Sequence, residues 1–220
     1  MSEPQVIDLF DSEEITYLAE VRHKYPLKEK MSGTRNWQWK SHDEVCHFLL
    51  EKLDPYIGKC FRHGGNYFET PNPFHPHTDT TKQSEFPNSQ PYKNVVIPLT
   101  ENPNIYTVIF EQRWTGPASH FWQGSLFGYL PDPLYNERKT DLIGVENVCD
   151  EPFPVEDYMK YLTHLPYESL QGFSILGAYP WKIGQALIFD CQNIHCGSNF
   201  RHHGINNKLG LSLFTSRYVE

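Results

Sequence analysis

The sequence predicts a mainly β domain, a jelly roll carried on N-terminal helices and interrupted by one long insertion. Three observations predict it. Residues 1–59 hold two helix signatures, each opened by capping-box spacing and closed by a proline. From residue 60 the chain turns to short apolar runs, many rich in Val, Ile, Phe and Tyr and separated by Gly, Pro and Asn, the pattern of a sandwich or barrel. Residues 111–172 break that rhythm with a long, proline-containing, aromatic-rich stretch.

The elements follow in order. Residues 6–10 read as a short strand. Asp11 and Glu14 cap a first helix whose face is Ile15, Leu18, Ala19 and Arg22, bounded by Pro26. The alternation Arg35-Asn36-Trp37-Gln38-Trp39-Lys40 reads as a strand or sheet edge, with both tryptophans half-buried or lining a substrate site. Ser41 and Glu44 cap a second helix. Its stripe of Val45, Phe48, Leu49 and Leu53 is core packing, and Pro55 ends it. Strands are expected at 66–70, 95–99, 107–110, 173–176, 186–190 and 209–216. The expected division is one domain over 1–220. Within it, 1–59 is helical support, 60–110 and 173–220 are jelly-roll strands, and 111–172 is an insertion or lid. That insertion carries Trp114, Phe121, Trp122, Phe127, Tyr129 and Tyr135, with a short helix near 158–165.

Composition narrows the function. The chain has 220 residues, 39% hydrophobic and 15% aromatic, enough for a sizeable core. A formal charge of −8 argues against a general nucleic-acid or anionic-membrane surface. No run of 18 apolar residues exists to span a bilayer, and Met1-Ser2-Glu3-Pro4 does not start a secretory signal. The five cysteines are odd in number, irregularly spaced and without a CxxC pair, so reduced thiols and a cytoplasmic location are expected. Cys191 and Cys196 flank His195, but a thiolate zinc site would need a second short-spaced Cys/His pair.

The chemistry concentrates in Phe74-His75-Pro76-His77-Thr78-Asp79. In an extended segment, alternate side chains share a face, so His77 and Asp79 reach one point in space. His195 would complete a two-histidine, one-carboxylate facial set, which holds Fe(II) and leaves positions open for a bidentate co-substrate and O₂. An H-x-D alone is common by chance. The downstream order adds to it: Gly184 opens a turn into the apolar strand 185–190, and His195 and one last strand follow.

In that order of motifs the chain resembles the 2-oxoglutarate and Fe(II)-dependent dioxygenase superfamily, most nearly its phytanoyl-CoA hydroxylase-like and prolyl-hydroxylase-like branches, over roughly residues 60–218. The resemblance implies a double-stranded β-helix with Fe(II) at one mouth, held by His77, Asp79 and His195. It also implies 2-oxoglutarate as co-substrate and a basic residue pairing with its distal carboxylate. Lys208, Arg201 and Arg217 are the candidates. Parity favours Lys208: Leu209, Leu211 and Leu213 share one face of the last strand, while Lys208, Gly210 and Ser212 share the other. Ser212 is a possible hydroxyl donor to the co-substrate. Tyr67 lies where related hydroxylases often place a tyrosine near it. His75 is read as lying beside the metal or on the substrate side, Asn199 as orienting a loop or serving the co-substrate, and His120, His164, His202 and His203 as surface or loop residues. Related halogenases replace the carboxylate with a small residue, so Asp79 favours hydroxylation. The implied activity is oxidation of a small-molecule or peptidyl substrate, with succinate and CO₂ released; a homodimer is compatible with it. Two alternatives stand: a cupin-like metalloenzyme that does not use 2-oxoglutarate, and a non-catalytic jelly-roll binding module.

Overall fold

The computed structural model describes residues 3–29, 33–40, 42–79, 88–121, 137–139 and 141–219. Strand β1 (Gln5–Asp8) leads into helix α1 (Ser12–Val21), and the Asp11–Glu14 capping box forms as the sequence predicts. The Asp11 side chain accepts from the backbone N–H groups of Glu13 and Glu14, both at 2.9 Å, satisfying donors that a helix start leaves open. Short strands β2 (Leu27–Glu29) and β3 (Arg35–Trp37) follow.

Helix α2 (Glu44–Ile57) departs from expectation at both ends. Its N-cap is Asp43, with no side-chain cap, and Ser41 lies outside the described residues. Pro55 does not end it. The helix runs two residues further: Pro55 forfeits its own N–H bond, but its fixed φ is helical and burial of Ile57 holds the last turn to the core. Gly58 ends it at φ 69°, its N–H bonded to the Asp54 carbonyl. Val45, Leu49, Leu53 and Ile57 are buried along one stripe. Each such side chain contributes about 1.5–3 kcal/mol.

The β-domain follows as β4 (Phe61–Thr70), β5 (Ser89–Pro98), β6 (Asn102–Arg113), β7 (Ser119–Phe121), β8 (Glu137–Lys139), β9 (Ile175–Trp181), β10 (Gln185–Asp190), β11 (Asn193–Gly197) and β12 (Lys208–Tyr218). The expected strands are present and mostly longer than the apolar runs that marked them, except that the one expected at 173–176 begins at 175 and the one expected at 95–99 ends at 98; β11, which carries His195, had no apolar run of its own. The large sheet has the order β1-β10-β5-β12-β4-β3-β2, and the small one β11-β6-β9. Residues 75–79 extend the small sheet, since His77 bridges His195. The two sheets face each other as a jelly roll.

Alternation along the strands sorts side chains into three layers. Tyr67, Val95, Ile97, Ala186, Ile188, Leu211 and Leu213 pack against α1 and α2 in one core, which also takes in Trp37 and Trp39. Both tryptophans are therefore buried under the helices and are not available to line a substrate site. Between the sheets lie Ile109, Leu187 and Phe189, with Ile105, Trp181 and Phe200. On the outer face of the small sheet, Val108, Phe110, Ile194 and Cys196 meet Phe153, Leu162, Leu165, Leu170 and Phe173 of the insertion. The described part of 111–172 is thus an apolar layer on the small sheet. Trp122, Phe127, Tyr129 and Tyr135 lie outside the described residues.

Candidate metal centre

Backbone pairing builds the site. His77 N–H donates to the His195 carbonyl and His195 N–H to the His77 carbonyl, both at 3.0 Å. On the other side, Thr78 N–H donates to Ser119 and Phe121 N–H to Pro76, at 3.0 and 2.8 Å. Residues directly opposite in an antiparallel pair share a face. His195, His77 and His120 therefore point the same way, and Asp79, two residues on from His77, reaches the same space.

The three expected ligands converge. His195 Nε2 lies 3.1 Å from Asp79 Oδ2, and His77 Nε2 lies 3.8 Å from the same oxygen. One ligand atom from each residue lies within 4.8 Å of the others. A single ion with bonds of about 2.0–2.2 Å sets neighbouring donors about 3 Å apart, so the spacing fits one mononuclear metal. The tautomers fit as well. His77 Nδ1 sits 2.8 Å from the His75 carbonyl, and His195 Nδ1 sits 3.1 Å from the Asn193 carbonyl. A carbonyl only accepts, so each Nδ1 carries the proton and each Nε2 presents a lone pair. Burial, with the neighbouring His195, holds His77 down at about 4, which keeps it neutral. Burial pushes Asp79 up, and positive charge on His77 and His195, with a hydrogen bond from His195, brings the carboxyl down to about 2; this pull belongs to the protonated imidazoles, and a bound cation would take their place.

Lys208 lies in the same interior. It starts β12 at 4% exposure, with its ammonium 4.2 Å from the Trp181 ring centroid and 5.4 Å from that of Phe200. A Cβ added at Gly197, two residues beyond His195, would lie 3.2 Å from Lys208 Nζ. Among the described residues no carboxylate pairs with it, and burial lowers it to about 8. A buried cation without a carboxylate partner, on the ligand-bearing face, suits an incoming anion.

The other candidates separate. Ser212 shares the Lys208 face, but its hydroxyl donates to the Asn66 carbonyl at 3.2 Å. Tyr67 pairs with Leu211 and stands on the helix side with no exposure, so it points away from the metal face; the expectation that it meets the co-substrate is corrected by strand parity. Arg201 is exposed and donates to Asn72. Arg217 lies on the exposed end of β12, over the Tyr92 ring. Asn199 caps the short turn 200–203 and donates to Thr163, which orients a loop. Cys191 and Cys196 both stay buried but do not join His195: Cys196 lies in the outer-face cluster.

One histidine is misplaced by the sequence reading, and a second, read as a loop residue, sits in a turn. His120 is 5% exposed, with its ring 5.7 Å from that of His77 and 4.5 Å from that of His75. His164 is half-buried and donates through Nε2 to the Phe74 carbonyl at 3.4 Å. No signal marked the place of His120, because a three-residue strand is too short to show a period. His202 and His203 are exposed, as expected.

No protein-family model matches the sequence, and no curated protein matches it. Solved structures do match. A 2OG-Fe(II) oxygenase family oxidoreductase from Burkholderia pseudomallei is 11% identical with a TM-score of 0.52, over 98% of this chain and 84% of its own. The non-heme alpha ketoglutarate dependent epimerase SnoN of nogalamycin biosynthesis is 13% identical with a TM-score of 0.52, over 99% and 81%. HygX from Streptomyces hygroscopicus, solved with nickel, 2-oxoglutarate and hygromycin B, is 10% identical with a TM-score of 0.50, over 99% and 84%. At these identities the likeness is one of architecture, and it is consistent: this chain has the jelly-roll fold of the 2-oxoglutarate–Fe(II) oxygenases.

Proposed function

We propose that this protein is a non-haem Fe(II)- and 2-oxoglutarate-dependent oxygenase that hydroxylates an unactivated C–H bond of a small-molecule or peptidyl substrate, releasing succinate and CO₂. The observation that carries the reading is the convergence of His77 Nε2, His195 Nε2 and Asp79 Oδ2 on one point of a barrel whose same interior buries Lys208. His77, Asp79 and His195 would hold the iron, and Lys208 would pair with the distal carboxylate of the co-substrate. Bound iron and 2-oxoglutarate supply the oxidising chemistry; the chain supplies geometry, charge pairing and exclusion of water.

Each residue's part follows from its surroundings. The Nδ1–H anchors of His77 and His195 fix both rings, so little reorganisation accompanies metal capture. Asp79 stays ionised through the physiological range and contributes the one negative charge of the set. Lys208 sits among aromatic rings, where its charge is weakly screened, so an opposite charge is strongly favoured there. The buried cation favours this reading over a cupin-like enzyme that does not bind 2-oxoglutarate, and the ligand triad favours it over a binding module without a metal.

Anaerobic addition of Fe(II) and then 2-oxoglutarate tests the reading. A weak visible metal-to-ligand charge-transfer band is expected in the wild type and not in His77→Ala. Aerobic turnover should yield succinate, and a screen of product masses then identifies the hydroxylated substrate. A wild type with neither band nor succinate sinks the proposal.

A further inference from the structure

We infer that Asn94 and Cys191 form a relay that holds Asp79 in its ligand orientation, making both of them positioning residues for metal capture. The inference rests on the metal-centre reading above and adds two residues that it does not need. Asn94 lies on β5 with the parity of Val96, so it faces the interior, and it has no exposure. Its side-chain Nδ2 donates to Asp79 Oδ2 at 3.4 Å. Its Oδ1 accepts from Cys191 Sγ at 2.9 Å. Cys191 is also fully buried, and its own N–H donates to the Tyr92 carbonyl at 3.2 Å, which pins it beside β5.

The direction of the relay is forced. A carboxylate can only accept, so the amide must turn its NH₂ to Asp79. The amide carbonyl then faces away into a dry interior and needs a donor, which the thiol supplies. Burial pushes the Cys191 thiol up, so it keeps its proton and remains a donor. If the amide flipped, its carbonyl oxygen would oppose the carboxylate, and its NH₂ would oppose a sulfur that accepts weakly. The thiol, nearer to Asn94 Oδ1 at 2.9 Å than to its other acceptor, the Thr215 carbonyl at 3.8 Å, thus favours the orientation in which Asp79 is held. The 3.4 Å contact is long, so the effect belongs at the low end of outer-sphere contributions, about tenfold in metal affinity.

The test titrates Co(II) into metal-free protein and follows heat and the visible ligand-field spectrum. Apo thermal melts are run in parallel. Asn94→Ala should weaken Co(II) about tenfold, and Cys191→Ala about threefold or more, with little change in apo melting. Cys191→Ser should restore wild-type affinity, because a hydroxyl donates to the same amide oxygen. If Asn94→Ala fails to fold, the Cys191 pair decides alone. Equal affinity in the folded variants and the wild type overturns the relay, as does a Cys191→Ser protein as weak as Cys191→Ala. A wild type that takes up Co(II) no better than His77→Ala overturns the metal centre itself, and the relay with it.

Discussion

The two faces of the large sheet use the same strands for opposite ends. On the helix side, β12 presents Leu211 and Leu213 to Val95, Ile97 and the α2 stripe, and this layer carries stability. On the interior side the same strand presents Lys208, Gly210 and Ser212, while β5 presents Asn94. These polar groups are as buried as the leucines, but a buried ammonium costs stability where a buried leucine adds it. A fold keeps such a face when ligands bind there. If that contrast holds, changes on the interior face should abolish binding without unfolding the chain, and changes on the helix face should do the reverse.

The largest expected effect is at the ligands. His77→Ala should cut Fe(II) or Co(II) affinity by more than the roughly 100-fold that loss of an outer-sphere partner costs. Its apo melting temperature should stay within about 2–4 °C, the shift that about 1 kcal/mol produces at this size. Calorimetry and thermal melts read both quantities. A collapse of the apo fold would show that the interior face carries stability after all.

Lys208→Met comes next. Affinity for 2-oxoglutarate should fall about 100-fold, in line with losing a charge pair of about 2–3 kcal/mol. The apo protein should become more stable, because a buried cation is replaced by an apolar side chain. The pH dependence has a definite sign. Lys208 drops from 10.5 to about 8 on folding, because burial disfavours its charge. Below about pH 8 both folded and unfolded chains hold the proton, and the folded state bears the full penalty. From pH 8 to 10.5 the unfolded chain binds more protons, so this residue makes apo stability rise with pH. Affinity for 2-oxoglutarate should move the opposite way, level below pH 8 and falling by up to about tenfold per unit above it. Wild-type binding that stays level to pH 10, together with undiminished affinity in Lys208→Met, would show that Lys208 is not the partner.

Leu211→Ala probes the other face. Leu211 has no exposure and sits in the helix-side core, so its truncation should cost about 2–5 kcal/mol and several degrees of melting temperature. Where the variant is folded, Co(II) affinity should match wild type. A metal-binding defect larger than the folded fraction explains would break the separation between the faces.

How much of this was legible in the sequence follows from the same contrast. The leucine parity of β12 was readable because one face is apolar and the other is not, and it placed Lys208 correctly in the interior. The His77–Asp79 pair was readable from a spacing of two. Tyr67 was misjudged because β4 is only weakly patterned: its residues 61–66 are all half-buried, so no alternation marks which face is which. Asn94 stood two residues before Val96, in phase with the interior, but a single asparagine before an apolar run looks like a strand end. His120 gave no signal, because its position depends on β7 joining residues 75–79 as a neighbouring strand, a pairing of distant segments that no local pattern encodes. Pro55 looked like a stop and is not one, because burial of Ile57 holds the turn that follows it, a tertiary contact that no local pattern shows.

The smallest expected effect separates packing from charge on the interior face itself. At Gly210, an added Cβ would stand 2.8 Å from Phe68 Cζ and 2.8 Å from Trp181 Cη2, two ring atoms held in the barrel, so Gly210→Ala should cost about 1–3 kcal/mol through overpacking. At Gly197, the Cβ would stand 3.2 Å from Lys208 Nζ and 3.4 Å from Phe74 N. The nearest of these is the end of a flexible side chain, which can give way by a few tenths of an ångström. Gly197→Ala should therefore leave melting nearly unchanged and displace the ammonium instead. A 2-oxoglutarate affinity reduced about threefold, roughly 0.6 kcal/mol, is the expected reading, with metal affinity intact. Unchanged co-substrate affinity in this variant, beside the expected loss in Lys208→Met, would mean that the ammonium reaches its anion from the side away from Gly197.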